Sequence, residues 1–303
     1  MSQWYSKIRY CKTTRLEYAK SIFMKLYDIA ILTCWYGSYP WYFPYFIHSC
    51  SSNPTIDFYL ITDNLKAIEN KPSNVKIIHK TLEEIKLTAS KKLGFAINID
   101  HPYKLCDFKP TYGFLFPEII KGYDFWGHGD IDVVYGNIRN FMTKEILTTH
   151  DIISSRHDYT TGTFCLFRNN NFINHLFMES KDYKNVLSSA EHFCFDECNF
   201  LFQELQNGAS IFDFPDNIQS MTYVVKKAEA EGKLKAFFDF IIIEGATGKI
   251  KWQNGKIIYK DLYEAMFYHL IKFKTQCKRP KILNPIPDTF YFTPKKIMAN
   301  NPN

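Results

Sequence analysis

The sequence predicts an α/β fold, a single domain built on a mainly parallel sheet flanked by helices. Three observations predict it. Short, almost wholly apolar runs recur at Tyr27–Thr33 (YDIAILT), Ile56–Thr62 (IDFYLIT), Val75–His79 and Tyr123–Gly127, separated by segments long enough to cross over. No internal repeat, low-complexity stretch or Gly/Ser/Pro-rich linker divides the 303 residues. Hydrophobic residues make up 46% of the chain and aromatics 17%, enough apolar mass for a large core and too much for a disordered protein.

The elements follow in order. The first run is a buried strand leading through Trp35-Tyr36-Gly37 into an aromatic helix over Trp41–Cys50. The second strand ends at Asp63-Asn64, the third spans Val75–His79, and the fourth ends near Asp130. Asp151–Ser154 and Thr163–Arg168 read as further strands, and Phe193–Gln206 has the spacing of an amphipathic helix. Lys249–Ile258 reads as a hairpin turning at Asn254-Gly255. Four prolines between 280 and 294 predict a tail that wanders over the surface. The expected division is a basic extension over 1–26, the domain over 27–280 and the tail over 281–303. Ligands of such sheets bind beyond the carboxyl ends of the strands, which selects Trp35–Gly37, Asp63 and Asp130–Asp132.

Composition narrows the partners. No apolar run approaches the ~20 residues that cross a bilayer, and no apolar leader follows the basic N-terminal residues. The expectation is a cytoplasmic protein. The net charge of +6 gathers at both ends, leaving the middle acidic. Basic ends suit peripheral contact with an anionic membrane face or a phosphate-bearing substrate, as well as plain solubility. No basic stripe is interleaved with aromatics in a nucleic-acid motif, so nucleic acid is not an expected partner. The eight cysteines sit in apolar runs and not in a disulfide framework. Cys194, Cys198 and His192 lack the second ligand pair of a zinc site.

The strongest local signal is Tyr123–Phe141, YDFWGHGDIDVVYGNIRNF. Asp130 and Asp132 flank Ile131, so an extended backbone aims both carboxylates to one side and buries the isoleucine on the other. Two carboxylates at the end of a buried strand form a hard oxygen site for Mn²⁺ or Mg²⁺. A cation held by few protein ligands keeps positions open for a diphosphate. Gly127 and Gly129 would let the backbone approach a ligand closely. In PYKLCDFKPTYG, Lys104 and Lys109 bracket Asp107, a set suited to phosphates and to ribose or sugar hydroxyls. Asp63 could accept a hydrogen bond from a nucleobase or ribose, or simply form a turn. Trp35, Tyr36 and Trp126 could stack on a base or sugar, or belong to the core. In EHFCFDECNF, Asp196 and Glu197 stand among apolar residues, where poor solvation raises a carboxyl's pKa and suits a general base.

With these residues in place, the chain resembles GT-A-type glycosyltransferases, particularly bacterial enzymes of capsule and lipopolysaccharide assembly. The segments that carry the resemblance are IAILTCWYGSY, NPTIDFYLITD, PYKLCDFKPTYG, FWGHGDIDVVYGNIRNF and FDECN, spanning roughly residues 27–275. It implies a Rossmann-like sheet sandwich, with Asp130 and Asp132 as the motif that holds a divalent cation on the donor diphosphate. Asp132 is the implied direct ligand. It further implies His269 as a C-terminal metal ligand, with Lys272 or Lys274 on phosphate, and Asp196 or Glu197 as base or sugar contact. His128 is a second candidate ligand. The expected partners are a nucleotide-sugar donor, a UDP-sugar by preference, and a glycan or lipid-linked acceptor. A nucleotide-sugar hydrolase or nucleotidyltransferase, and a non-catalytic carbohydrate-binding protein, are the alternatives.

Overall fold

The computed structural model describes residues 26–245, 249–277 and 281–300. Seven strands form the main sheet: β1 (Ile29–Trp35), β2 (Ile56–Thr62), β3 (Val75–His79), β4 (Phe125–Gly129), β6 (Ile152–Ser154), β7 (Phe164–Arg168) and β8 (Ala236–Phe238). Their order is β3-β2-β1-β4-β7-β6-β8. Four pairings are parallel, and β7 runs antiparallel to both of its neighbours.

Both faces of this sheet are covered, which is why its strands read as continuous apolar runs. Along β1, Ile29 and Ile31 enter one core while Ala30 and Leu32 enter the other. The first core lies under α1 (Phe43–Ser51) and two small sheets. The second lies under α2 (Leu82–Leu93), the 3-10 run Pro102–Thr111 and the helix Met221–Ala230. Thr81 and Glu84 close a capping box on α2, and Gly94 ends it in the left-handed region.

One small sheet joins β5 (Val133–Tyr135), β13 (Phe267–His269) and β9 (Ile243–Glu244). The other joins β10 (Ile250–Gln253), β11 (Lys256–Tyr259), β12 (Tyr263–Ala265), β14 (Thr289–Phe292) and β15 (Ile297–Met298). The predicted hairpin is present: Asn254 and Gly255 both take positive φ, as a two-residue primed turn requires.

Two expectations are corrected. The tail does not wander: β14 pairs with β10, and Phe290 is fully buried against Trp252. Nor does a helix span Phe193–Gln206; only Phe202–Gln206 is helical. Positive φ at Cys194, Asn199 and Phe200 breaks the repeat. The expected extension over 1–26 lies, but for its last residue, outside the described residues. Among the described residues, no helix is long and apolar enough to cross a membrane.

Candidate functional site

The central strand β4 delivers the Asp-x-Asp run, as predicted, with Ile131 buried beneath it. The two carboxylates then take separate partners. The antiparallel entry of β7 brings Gly162 and Thr163 alongside, and Asp130 N–H donates to Thr163 O. The β5–β13–β9 sheet brings His269 beside Asp132 on one side and Glu244 on the other.

On the Asp130 side, Lys109 is the hub. Its ammonium lies 2.7 Å from Asp130 Oδ1 and 3.5 Å from Asp196 Oδ2, and donates to Gly162 O at 2.9 Å. Glu197 Oε1 accepts from Gly162 N–H at 2.8 Å. Two carboxyls thus share one buried lysine, and a third is held by the Gly162 amide beside it. Burial first, then the neighbouring Glu197, pushes the Asp196 carboxyl well up, with Lys109 opposing. Burial likewise raises Glu197. Such a pair holds a proton more tightly than ordinary carboxylates do.

On the Asp132 side, charge is balanced along a chain. Lys274 donates to Asp132 Oδ2 at 2.5 Å, and His269 Nε2 stands 3.4 Å from the same oxygen. His269 Nδ1 meets Glu244 Oε1 at 2.7 Å, and Glu244 Oε2 accepts from Arg156 Nη1 at 2.7 Å. Asp158 holds the other edge of that guanidinium at 2.8 and 2.6 Å. Burial alone would lower the pKa of His269, but Asp132 and Glu244 raise it to about 10. The same contacts outweigh burial at Asp132 and hold its carboxyl far below the usual range.

Carboxylate oxygen and imidazole nitrogen are donor types that divalent cations accept, but here two cations, the Lys274 ammonium and the His269 ring, already pair with Asp132. A carboxylate oxygen and an imidazole nitrogen face each other, and a carboxylate behind the ring fixes which nitrogen points forward. Among the described residues, no three His, Cys, Asp or Glu side chains gather at metal-holding spacing. Asp132 and His269 come together as predicted, whereas Asp130 turns to Lys109.

The remaining candidates divide. Lys104 and Asp107 do not face a ligand: both are fully buried, and the ammonium spends its donors on Asp107 Oδ2, Val186 O and Glu191 O. Asp107 accepts from the backbone of Phe193 and Phe195, so this pair holds the segment that carries Asp196 and Glu197. Trp126 is core, stacked on Phe167. His128 is buried beside Gly162 O. Lys272 is exposed on the Ile271–Gln276 helix, near Gly245, while Lys274 of the same helix takes Asp132. Trp35, Tyr36 and Asp63 lie at the neighbouring ends of β1 and β2. There, exposed Asp63 accepts from Gly37 N–H at 2.9 Å, and the buried Tyr36 hydroxyl has no partner.

The glycines also change role. A Cβ at Gly127 would meet Cys165 O at 2.6 Å, and one at Gly129 the Tyr135 hydroxyl at 2.9 Å. Both make room for protein and not for a ligand. Gly162 is the glycine of the site, where a Cβ would overlap Asp196 Oδ2 and crowd Lys109 Nζ at 3.1 Å. The sequence reading missed Arg156, Asp158 and Glu244, which no motif or spacing marks.

Solved structures similar to this chain include two of one enzyme. One is the galactosyltransferase LgtC in complex with donor and acceptor sugar analogs, at 14% identity and TM-score 0.35 over 59% of this chain and 69% of that one. The other is an active-site mutant of LgtC, at 13% identity and TM-score 0.34 over the same shares. No curated protein matches the chain. A family model does match, over residues 31–301, and the chain belongs to that family, DUF6625, a family of unknown function.

Proposed function

We propose that this protein is a glycosyltransferase that moves a sugar from a nucleotide-diphospho-sugar, a UDP-sugar by preference, onto a glycan or glycolipid acceptor. The observation that carries the reading is the placement of Asp130 and Asp132 at the carboxyl end of the central strand. There one carboxylate meets a histidine and a lysine, and the other meets Lys109, which also reaches the buried Asp196. Ligand sites of α/β sheets lie at such strand ends.

In this reading Asp132 and His269 would hold Mn²⁺ or Mg²⁺, which would supply charge stabilisation to a departing diphosphate. Lys274 and Lys272 add positive charge on the same side, as point-charge partners for phosphate oxygens. Glu244 and Arg156 keep the His269 ring in place. On the Asp130 side, Asp196 or Glu197 takes the proton of the acceptor hydroxyl as its oxygen bonds to the sugar's anomeric carbon. The bond from that carbon to the diphosphate breaks, and its electron pair leaves with the nucleoside diphosphate. Carboxyls with raised affinity for protons suit this task. Trp35, Tyr36 and Asp63 border the place where the nucleoside would sit. Basic segments at the ends of the sequence suit an acceptor at the inner face of an anionic membrane.

A thermal-shift panel of nucleoside diphosphates, with and without Mn²⁺, tests the reading. A ligand that binds only the native state raises the melting temperature by mass action. The expected result is stabilisation that needs both one nucleotide and the cation. No shift for any combination overturns the donor site.

A further inference from the structure

The segment that carries Asp196 and Glu197 also carries a feature that the transfer chemistry leaves unused. Phe200 is 54% exposed and sits at φ +64°, a conformation that bulky side chains rarely adopt. Asn199 and Cys194 share the left-handed region, so three non-glycine residues in seven are strained. The surroundings impose this conformation. Asp107 binds the backbone of Phe193 and Phe195, and the Asn199 amide donates to Phe193 O at 2.8 Å. Backbone strain of this kind persists where surrounding structure over-determines it, and it gathers at ligand sites.

What the strain presents is an aromatic row. His192 lies edge-on to Phe200, with centroids 5.6 Å apart, and edge-on to Tyr103 at 4.7 Å. Tyr103 is 64% exposed. The row adjoins the segment of the acid pair: His192 Nδ1 lies 3.2 Å from Asp107 Oδ1, which holds the Phe193 and Phe195 amides, and Asp196 and Glu197 follow directly in the same loop. The buried cations beside it are already paired, Lys104 with Asp107 and Lys109 with Asp130 and Asp196, which leaves no free positive charge there for phosphates or anionic lipid. Aromatic faces bordered by a phenol and an imidazole match a ring with an apolar C–H face and a rim of hydroxyls.

We infer that Tyr103, His192 and Phe200 form a subsite that stacks a neutral pyranose of the acceptor glycan and directs its hydroxyl toward Asp196 and Glu197. This rests on the proposed transferase reading but uses residues on which that reading does not depend. The ring faces supply affinity, and Phe200, 54% exposed, presents its ring to the sugar.

The test is an array of neutral hexose-containing glycans, probed with the full chain saturated with UDP and Mn²⁺. The strongest binder is then titrated by saturation-transfer NMR. Phe200→Gly removes the ring at a position whose φ suits glycine, so the fold is kept; Tyr103→Ala is the second variant. Each is expected to weaken glycan binding about tenfold or more, the loss of one stacked ring, with the UDP–Mn²⁺ thermal shift unchanged. Glycan binding undiminished in both variants overturns the inference, as does the absence of glycan binding by the parent protein. A glycan response that depends on Phe200 in a protein that ignores UDP would support the subsite while sinking the donor reading.

Discussion

Asp130 and Asp132 stand two residues apart on one backbone, yet they serve two electrostatic environments. Around Asp130, two carboxyls share Lys109, Glu197 holds the Gly162 amide, and burial raises the proton affinity of both Asp196 and Glu197. Around Asp132, acids and cations alternate from Asp132 through His269, Glu244 and Arg156 to Asp158, and the carboxylate stays ionised. The alternation of an extended chain sets the spacing, but the partners come from different parts of the fold. The Asp130 side is built by the Pro102–Thr111 run, the start of β7 and the 193–201 segment; the Asp132 side is built by the β5–β13–β9 sheet. The difference teaches that one short motif can reach two differently charged environments side by side, provided its two carboxylates face different walls.

Breaking the Asp132 half should have the largest effect. Asp132→Asn removes the ionised oxygen that faces His269, and turnover should fall about a thousandfold if the cation supplies several kcal/mol at the transition state. Donor-dependent sugar transfer measures it. Next comes the support of the Asp130 half. Asp107→Asn leaves the Lys104 ammonium buried without its carboxylate, which should cost about 3–5 kcal/mol of stability by chemical denaturation. The same pair gives an acid dependence. Burial raises the pKa of Asp107, but contact with His192 and the charge of Lys104 outweigh it and lower the pKa overall. A depressed carboxyl contributes stability that is complete above its unfolded value and lost as pH falls through its folded value. Asp107→Asn should therefore flatten the acid limb of the stability curve.

Smaller effects sharpen the comparison. Asp196→Asn should lower turnover about a hundredfold, the lower part of the range for a lost general base. Because its pKa is raised, ionised Asp196 opposes folding at neutral pH, so the same variant should melt higher. Glu244→Ala should weaken cation binding about tenfold, as loss of a carboxylate behind a histidine ligand does, and leave the acid pair untouched. Calorimetric titration with Mn²⁺ in the presence of UDP reads that effect.

Much of the fold was legible because a sheet covered on both faces must be apolar along its whole length, as β1 and β2 are. The Asp-x-Asp run was legible because it closes such a strand. Four things were not. A helical spacing over Phe193–Gln206 concealed a loop, since nothing local announces a left-handed Phe200. Lys104 has the look of a phosphate ligand, and only the distant carbonyls of Val186 and Glu191 make it structural. Glu244 and Arg156 meet across 88 residues, and pairing at that range leaves no periodic trace. The tail misled for a related reason: its prolines flank β14 without entering it.

The most direct test of the division is electron paramagnetic resonance of Mn²⁺ titrated into the protein with UDP, compared among the parent chain, Asp132→Asn and Asp196→Asn. The account predicts stoichiometric binding of the ion by the parent and by Asp196→Asn, and loss of binding in Asp132→Asn. Equal binding by all three proteins would contradict it.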